Sequence, residues 1–156
     1  AHEKFVLQEE LRNALARSEF ILLYQPQVDL RSGEVFAVEA LLRWKHPTRG
    51  MVAPNTFIPT AEETGLIVPI GDWVLHEACR QNKAWQDAGL PPLTVCVNVS
   101  ARQFREPNLI GRVVNALKDS GLEARHLELE VTESLIMQDV ELAVATMNRV
   151  QEPGLL

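Results

Sequence analysis

The sequence has few cysteines, and it lacks both a long apolar run and a secretion signal. Cys79 and Cys96 are the only two cysteines, and their spacing fits neither a disulfide framework nor a C-x-x-C motif. We expect both to be buried apolar residues in a reducing compartment. No apolar run approaches the roughly 20 residues that span a bilayer, and residues 1–4 do not begin a signal peptide. These absences predict a cytoplasmic location without membrane contact, and they leave open an anchor elsewhere in a longer parent chain.

An excess of positive charge is also lacking. Lysine and arginine total 15 against 21 aspartate and glutamate residues, which gives a formal net charge of −6. Because binding to the backbone of polymeric nucleic acid depends on a basic surface, this balance argues against such a partner. It is compatible with a small phosphodiester ligand, which needs only a few local cations or bound metals. The 156 residues, 46% of them hydrophobic, are sufficient for one globular core.

Several common catalytic motifs are missing. The sequence contains neither G-x-G-x-x-G nor the Walker A pattern, and neither H-E-x-x-H nor G-x-S-x-G. The four histidines are scattered, so we expect them to be surface or supporting residues rather than metal ligands. Nucleotide-binding loops, zinc hydrolysis and a serine nucleophile therefore have little support.

The hydrophobic pattern predicts a leading helix and then a strand hairpin. Residues 4–18 have helical periodicity, and residues 20–44 form two β-rich runs around the turn Arg31–Glu34. Residues 45–60 hold three prolines and predict a loop, followed by a short helix at 60–65 that Gly65 closes.

The remainder of the chain alternates helices with strands. We predict helices at 70–88, 109–120 and 139–151, and strands at 93–100 and 127–132. This order is typical of βα units and an α/β fold with a parallel sheet. The pattern by itself leaves a (β/α) barrel and a doubly wound sheet open. Four strands, with the hairpin included, amount to about half of an eight-stranded barrel.

Polar residues interrupt these strands where apolar residues are expected. Glu39, Asn98 and Glu130 fall on three different strands, and polar groups near the carboxyl ends of parallel strands meet at one edge. Two carboxylates and an amide oxygen are ligands that suit Mg²⁺ or Mn²⁺. The alternative is that each is a rim residue in contact with water, and we expect this of Glu128. Composition alone does not decide between the two interpretations.

Five segments that include these positions resemble the EAL domain family in the family's order. The resemblance implies a modified (β/α)8 TIM barrel that starts with an antiparallel hairpin, of which residues 1–156 form about the first half. In this interpretation 45–156 are the βα units. The segments are Tyr24-Gln-Pro26, Glu39-Ala-Leu-Leu-Arg-Trp44, Phe57-Ile-Pro-Thr-Ala-Glu62, Asn98-Val-Ser100 and Glu130-Val-Thr-Glu133-Ser134.

The resemblance also implies a reaction and a set of site residues. Active members hydrolyse cyclic di-GMP to linear pGpG with two Mg²⁺ or Mn²⁺ ions. By this resemblance Glu39, Asn98 and Glu130 match metal ligands, and Glu39, Glu130 and Glu133 are the catalytic carboxylates. Glu133 is expected to support the loop that carries the second ion's ligands. The substrate contacts expected from the family are Gln25, Leu42, Arg43 and Pro59.

The resemblance further predicts what lies outside these residues. The family's next segment, D-D-F-G-T-G, supplies both aspartates of the second metal and is expected to start just after Leu156. Hydrolysis by this chain alone is therefore not expected. Two alternatives remain: a module that binds cyclic di-GMP without cleaving it, and a structural half-barrel that associates through its open edge. A homodimer and a GGDEF or sensory domain in the parent chain are the further partners considered.

Overall fold

The structure, a computed structural model, describes residues 2–131, which form one mixed sheet with helices packed on one of its faces. The predicted helix at 139–151, the last residue of the strand predicted to end at 132, and Glu133 all lie outside the described residues. The helices are α1 His2–Ala14, α2 Pro54–Thr64, α3 Ile67–Asp87, α4 Ala101–Arg105 and α5 Leu109–Ser120. The strands are β1 Phe20–Val28, β2 Val35–His46, β3 Gly50–Val52, β4 Thr94–Val99 and β5 Leu127–Val131.

The sheet has the order β1-β2-β4-β5, and the short strand β3 pairs with the end of β2. β1 runs antiparallel to β2, as the hairpin pattern predicts, with Gln25 opposite Glu39. β2 and β4, and then β4 and β5, pair in parallel. Each parallel step passes through helices, because a parallel crossover needs a long connection.

Apolar residues at alternate positions of the strands form the core. Val38, Ala40, Val95, Val97 and Val99 are all at most 5% exposed. Because strand side chains alternate between faces, these residues share the face on which α3 packs. The opposite face therefore receives the side chains of the intervening residues, which include Glu39 and Asn98.

A cluster of aromatic residues closes the end of the hairpin against α1 and α2. Trp44 is fully buried, and its ring contacts those of Phe20 and Phe57. The indole nitrogen of Trp44 donates a hydrogen bond of 3.0 Å to Glu19 Oε1, so the buried N–H is satisfied. His46, next along the same strand face, is also buried and pairs with Glu10 of α1.

The leading helix is shorter than predicted. The periodicity indicated a helix over 4–18, but α1 begins at His2 and ends at Ala14. The chain then turns through Ser18, whose φ of 55° lies in the left-handed region, and Glu19 N donates to Ala14 O. Apolar Leu15 continued the helical spacing, but a helix cannot pass through a left-handed residue.

The loop predicted at 45–60 was wrong, because its prolines occupy positions that regular structure tolerates. β2 extends to His46 and pairs with β3 around the turn. α2 then starts at Pro54, where the missing N–H is harmless, and it accommodates Pro59 within the helix. Gly65 ends α2 with a φ of 81°, as predicted.

The later elements agree more closely with the pattern. α5 has the predicted bounds, and α3 covers Ile67–Asp87 against a prediction of 70–88. The short helix α4 was not predicted, since its five residues are too few for periodicity. Cys79 and Cys96 are buried free thiols, and among the described residues no helix has the length and apolarity of a membrane span.

Asn82 offers a test of how α3 is held to the sheet. Its side chain is fully buried, and Nδ2 donates to Leu93 O at 2.9 Å and His126 O at 3.2 Å, just before β4 and β5. Because Asn82→Ala leaves two carbonyls without this donor, we expect a loss of about 2 kcal/mol in the free energy of unfolding. Urea denaturation measures it, and Asn115→Ala, at an exposed position of α5, is the control with a change within about 0.5 kcal/mol. Equal midpoints for the two variants would contradict this role.

Candidate metal and substrate site

The parallel register brings the predicted metal ligands to one face of the sheet. Glu39 is level with Cys96, and Cys96 with Glu128. Asn98 is level with Glu130, two residues further toward the carboxyl ends of their strands. Since residues two apart on a strand share a face, all five side chains lie on the face opposite the helices. Glu39, Asn98 and Glu130 thus share one face of three neighbouring strands.

Glu39 and Asn98 are in direct contact. Asn98 Nδ2 donates a hydrogen bond of 3.0 Å to Glu39 Oε2 across the β2–β4 pair. Glu39 is partly buried and Asn98 is exposed. A carboxylate oxygen and an amide group therefore stand side by side on the two central strands, on the face that is not covered by the helices.

A second group of ligand atoms lies on β4 and β5. One ligand atom each from Cys96, Glu128 and Glu130 lie within 4.8 Å of one another. Cys96 Sγ donates a 3.2 Å hydrogen bond to Glu128 Oε2. Burial, and then the contact with Glu128, raise the pKa of the Cys96 thiol to about 12, so that the thiol stays protonated near neutral pH and acts as a donor.

Glu128 and Cys96 are therefore parts of the site that the sequence interpretation missed. Glu128 was expected to be a solvated rim residue; it is exposed, but its carboxylate belongs to this group. Cys96 is buried as expected, yet its thiol meets the acidic residues. Their spacing in the sequence could have revealed this. Cys96 is two residues from Asn98 and Glu128 is two residues from Glu130, and residues two apart on a strand share a face.

The electrostatics of the group favour a bound cation. Burial raises the pKa of Glu130, and the nearby carboxylates of Glu39 and Glu128 raise it further. Like charges held together on a partly desolvated surface disfavour ionisation unless a positive charge offsets them. The donor set of carboxylates and an amide suits a hard divalent ion such as Mg²⁺. The residues present thus fit a metal, and Glu39, Asn98 and Glu130 are those that could hold it.

A cavity of about 320 Å³ lies on the other side of the sheet, between it and helices α2 and α3. Its wall is mostly apolar, and Leu42, Arg43 and Asn98 all line it. Nη1 of Arg43 donates to Leu42 O at 2.9 Å, which holds the guanidinium against its own strand. Two predicted substrate residues and one predicted metal ligand therefore share one cavity.

The other predicted substrate residues are placed differently. Pro59 is exposed on α2, next to Ile58, which does line the cavity. Gln25 is exposed on β1, opposite Glu39 and on the same face of the sheet. Glu133 lies outside the described residues. The structure thus brings Leu42 and Arg43 to the cavity and places Gln25 next to Glu39 on the neighbouring strand. Pro59 is on the neighbouring helix α2.

Arg102 fastens α2, which forms one wall of the cavity. Its Nη1 donates to Glu62 O at 2.8 Å and to Glu63 O at 3.1 Å, both at the end of α2. These carbonyls are among those a helix leaves unpaired at its C-terminus, and a positive charge there is favourable. The segment after Asn98 therefore holds the helix that carries Ile58 and Pro59.

Comparison with known proteins identifies the family. A sequence model of the EAL domain matches residues 8–156. The bifunctional diguanylate cyclase/cyclic di-GMP phosphodiesterase MucR of Pseudomonas aeruginosa is 46% identical over 154 residues, which cover 99% of this chain and 22% of that protein. The cyclic di-GMP phosphodiesterase NbdA of the same organism is 41% identical over 154 residues, 99% of this chain and 20% of that protein.

Solved structures agree with the sequence relatives. The MucR phosphodiesterase in complex with cyclic di-GMP superposes with a TM-score of 0.89 at 47% identity, over 92% of this chain and 58% of that one. The EAL domain of Xanthomonas citri FimX, also in complex with cyclic di-GMP, gives a TM-score of 0.84 at 29% identity, over 96% and 57%.

This chain belongs to the EAL domain family. The predicted α/β fold, a portion of the EAL-type TIM barrel, is confirmed. The chain spans about a fifth of the length of the curated relatives it matches. The MucR and NbdA relatives are named as cyclic di-GMP phosphodiesterases, in agreement with the function predicted from the resemblance.

The acidic group makes a prediction about the pKa of Glu130. Removing a neighbouring negative charge favours the ionised form, so Glu39→Gln and Glu128→Gln should both lower this pKa toward its ordinary value. Glu39 is the larger of the two charge effects, so Glu39→Gln should lower it more. Carbon-13 NMR titration of the Glu130 carboxyl in metal-free protein measures both shifts. If neither substitution moves the titration, the carboxylates do not interact as described.

Proposed function

We propose that this chain supplies the ligands of one metal ion and a wall of the substrate cavity in a cyclic di-GMP phosphodiesterase domain. The observation that carries the proposal is the placement of Glu39, Asn98 and Glu130 on one face of three neighbouring strands, with Arg43 on the same face of β2. Agreement with relatives named as cyclic di-GMP phosphodiesterases supports it.

The metal would be Mg²⁺ or Mn²⁺, held by Glu39, Asn98 and Glu130. All three offer oxygen ligands, and the raised pKa of Glu130 indicates a surplus of negative charge that a divalent ion offsets. When bound, such ions polarise the phosphoryl group and lower the pKa of a water molecule. Glu39 and Glu130 would be catalytic carboxylates because, as ligands, they would determine the position of the divalent ion.

The substrate would lie over the face of the sheet that carries Glu39 and reach the cavity where Arg43 and Asn98 line it. Arg43 is suited to a phosphate of cyclic di-GMP, because a guanidinium presents paired donors to phosphate oxygens. The apolar wall that includes Leu42 suits one face of a guanine base. Gln25, which is paired with Glu39 across the hairpin, would contact the ligand from β1. Pro59 would contact it from α2.

The rest of the site would come from residues that follow those described. Glu133 would support the loop that holds the second ion, and the D-D-F-G-T-G segment beyond Leu156 would supply that ion's aspartates. Residues 1–156 would then form part of an EAL domain. A cytoplasmic location, a homodimer and a GGDEF or sensory domain in the parent chain remain predictions of the same interpretation.

Hydrolysis by the protein that carries this chain with the remainder of its EAL domain tests the proposal. With Mn²⁺, the wild-type protein should convert cyclic di-GMP to pGpG, and Glu39→Gln should reduce the rate by at least about a hundredfold, because removing a ligand costs more than removing its supporting partner. Separation of the nucleotides by chromatography measures both.

Glu34→Gln is the matched control, since Glu34 is an exposed carboxylate in the turn before β2, five residues ahead of Glu39. It should hydrolyse cyclic di-GMP at the wild-type rate. Binding of cyclic di-GMP without turnover in the wild-type protein would replace the proposed enzyme with a binding module. Neither binding nor turnover would leave a structural role.

A further inference from the structure

The chain turns sharply just after the candidate ligand Asn98, and one side chain holds that turn. Ser100 begins α4 with a reciprocal pair of hydrogen bonds: Gln103 N donates to Ser100 Oγ at 3.2 Å, and Ser100 N donates to Gln103 Oε1 at 3.0 Å. This is a capping box, which satisfies two donors that a helix start otherwise leaves unpaired. Gln103 therefore fixes the backbone two residues beyond Asn98.

The same side chain is packed into α3. Gln103 is 7% exposed, and its amide group lies directly on the backbone of Gly71. A Cβ atom at Gly71 would stand 1.7 Å from Gln103 Nε2 and 2.5 Å from its Cδ, so any side chain at this position displaces the amide. Gly71 is the fifth residue of α3 and is buried; glycine is unfavourable inside a helix, and the close approach of Gln103 accounts for it.

Neighbouring contacts leave α4 little freedom. Phe104 is buried at 6% exposure, and its N–H donates to Ser100 O at 3.0 Å. Arg102 reaches in the other direction to the end of α2. Gln103 is thus the link by which the end of β4 is held at a fixed position against α3.

We propose that Gln103 is a positioning residue for Asn98, and that Gly71 is glycine in order to admit it. The inference rests on the proposed function, in which Asn98 is a metal ligand. Gln103 does not itself belong to the ligand set. By fixing the backbone at Ser100, it holds the end of β4 so that the Asn98 amide stays beside Glu39, where the 3.0 Å hydrogen bond places it.

Mn²⁺ affinity measured by electron paramagnetic resonance titration tests this without any turnover. Gln103→Met keeps the volume against Gly71 and removes the acceptor for Ser100 N, so the fold is retained while the turn is loosened. We expect the dissociation constant for Mn²⁺ to rise about tenfold, the range seen when a group supporting a ligand is lost.

Gly71→Ala provides a second route to the same effect, because the added Cβ expels the Gln103 amide. It should raise the dissociation constant by a similar factor. The double variant with Gln103→Met should bind Mn²⁺ about as tightly as either single variant, since both changes break one link. Additive losses would contradict a shared mechanism.

Two reference variants separate the possible failures. Asn82→Ala removes a buried amide of α3 at the opposite end of the strands, so it should lower the melting temperature and leave Mn²⁺ affinity unchanged. If Gln103→Met behaves like Asn82→Ala, Gln103 is merely structural and the inference is wrong. If Glu39→Gln also leaves the affinity unchanged, the metal site itself is wrong, and the proposed function fails first.

Discussion

The parallel pairing of β2 with β4 and of β4 with β5 determines where every group of the candidate site lies. A shift of one residue in either pair would send one strand's polar side chains to the opposite face, against the helices. The register is fixed by the other face, where Val95 and Val97 are buried against α3. The hydrophobic core thus aligns the metal ligands, although none of its residues belongs to the site.

The cost of this alignment is a concentration of negative charge. Glu39, Glu128 and Glu130 are close enough that the first two raise the pKa of the third. A protein without a ligand at this place would gain little from holding three carboxylates together, because their repulsion opposes folding. The arrangement is understandable if a divalent cation occupies the site during function. Arg43, four residues from Glu39 and on the same face of β2, then meets an anionic partner from the side of the sheet that carries the carboxylates.

Much of this could be read from the sequence, since the informative patterns are local. The periodicity of α5 and the hairpin of β1 and β2 follow from residues close together in the chain. The candidate ligands were found because Glu39 and Asn98 interrupt apolar strands, where polar residues require an explanation.

The remaining features depend on contacts that the sequence does not display. The place of Cys96 beside Glu128 follows from the register between two strands, and so does the contact between Glu39 and Asn98. α2 was hidden because prolines usually end a helix, whereas Pro54 begins this one. The contact with Gln103 explains why position 71 is a glycine, because nothing in the neighbouring sequence of α3 requires a glycine there.

The central claim is that Glu39, Asn98 and Glu130 together hold a divalent metal ion. Anomalous X-ray diffraction from crystals of the protein grown with Mn²⁺ tests it most directly, because the signal locates the ion independently of any assay. The account predicts a manganese peak in contact with oxygen atoms of all three side chains. A peak elsewhere, or none near these residues at a saturating Mn²⁺ concentration, would contradict it.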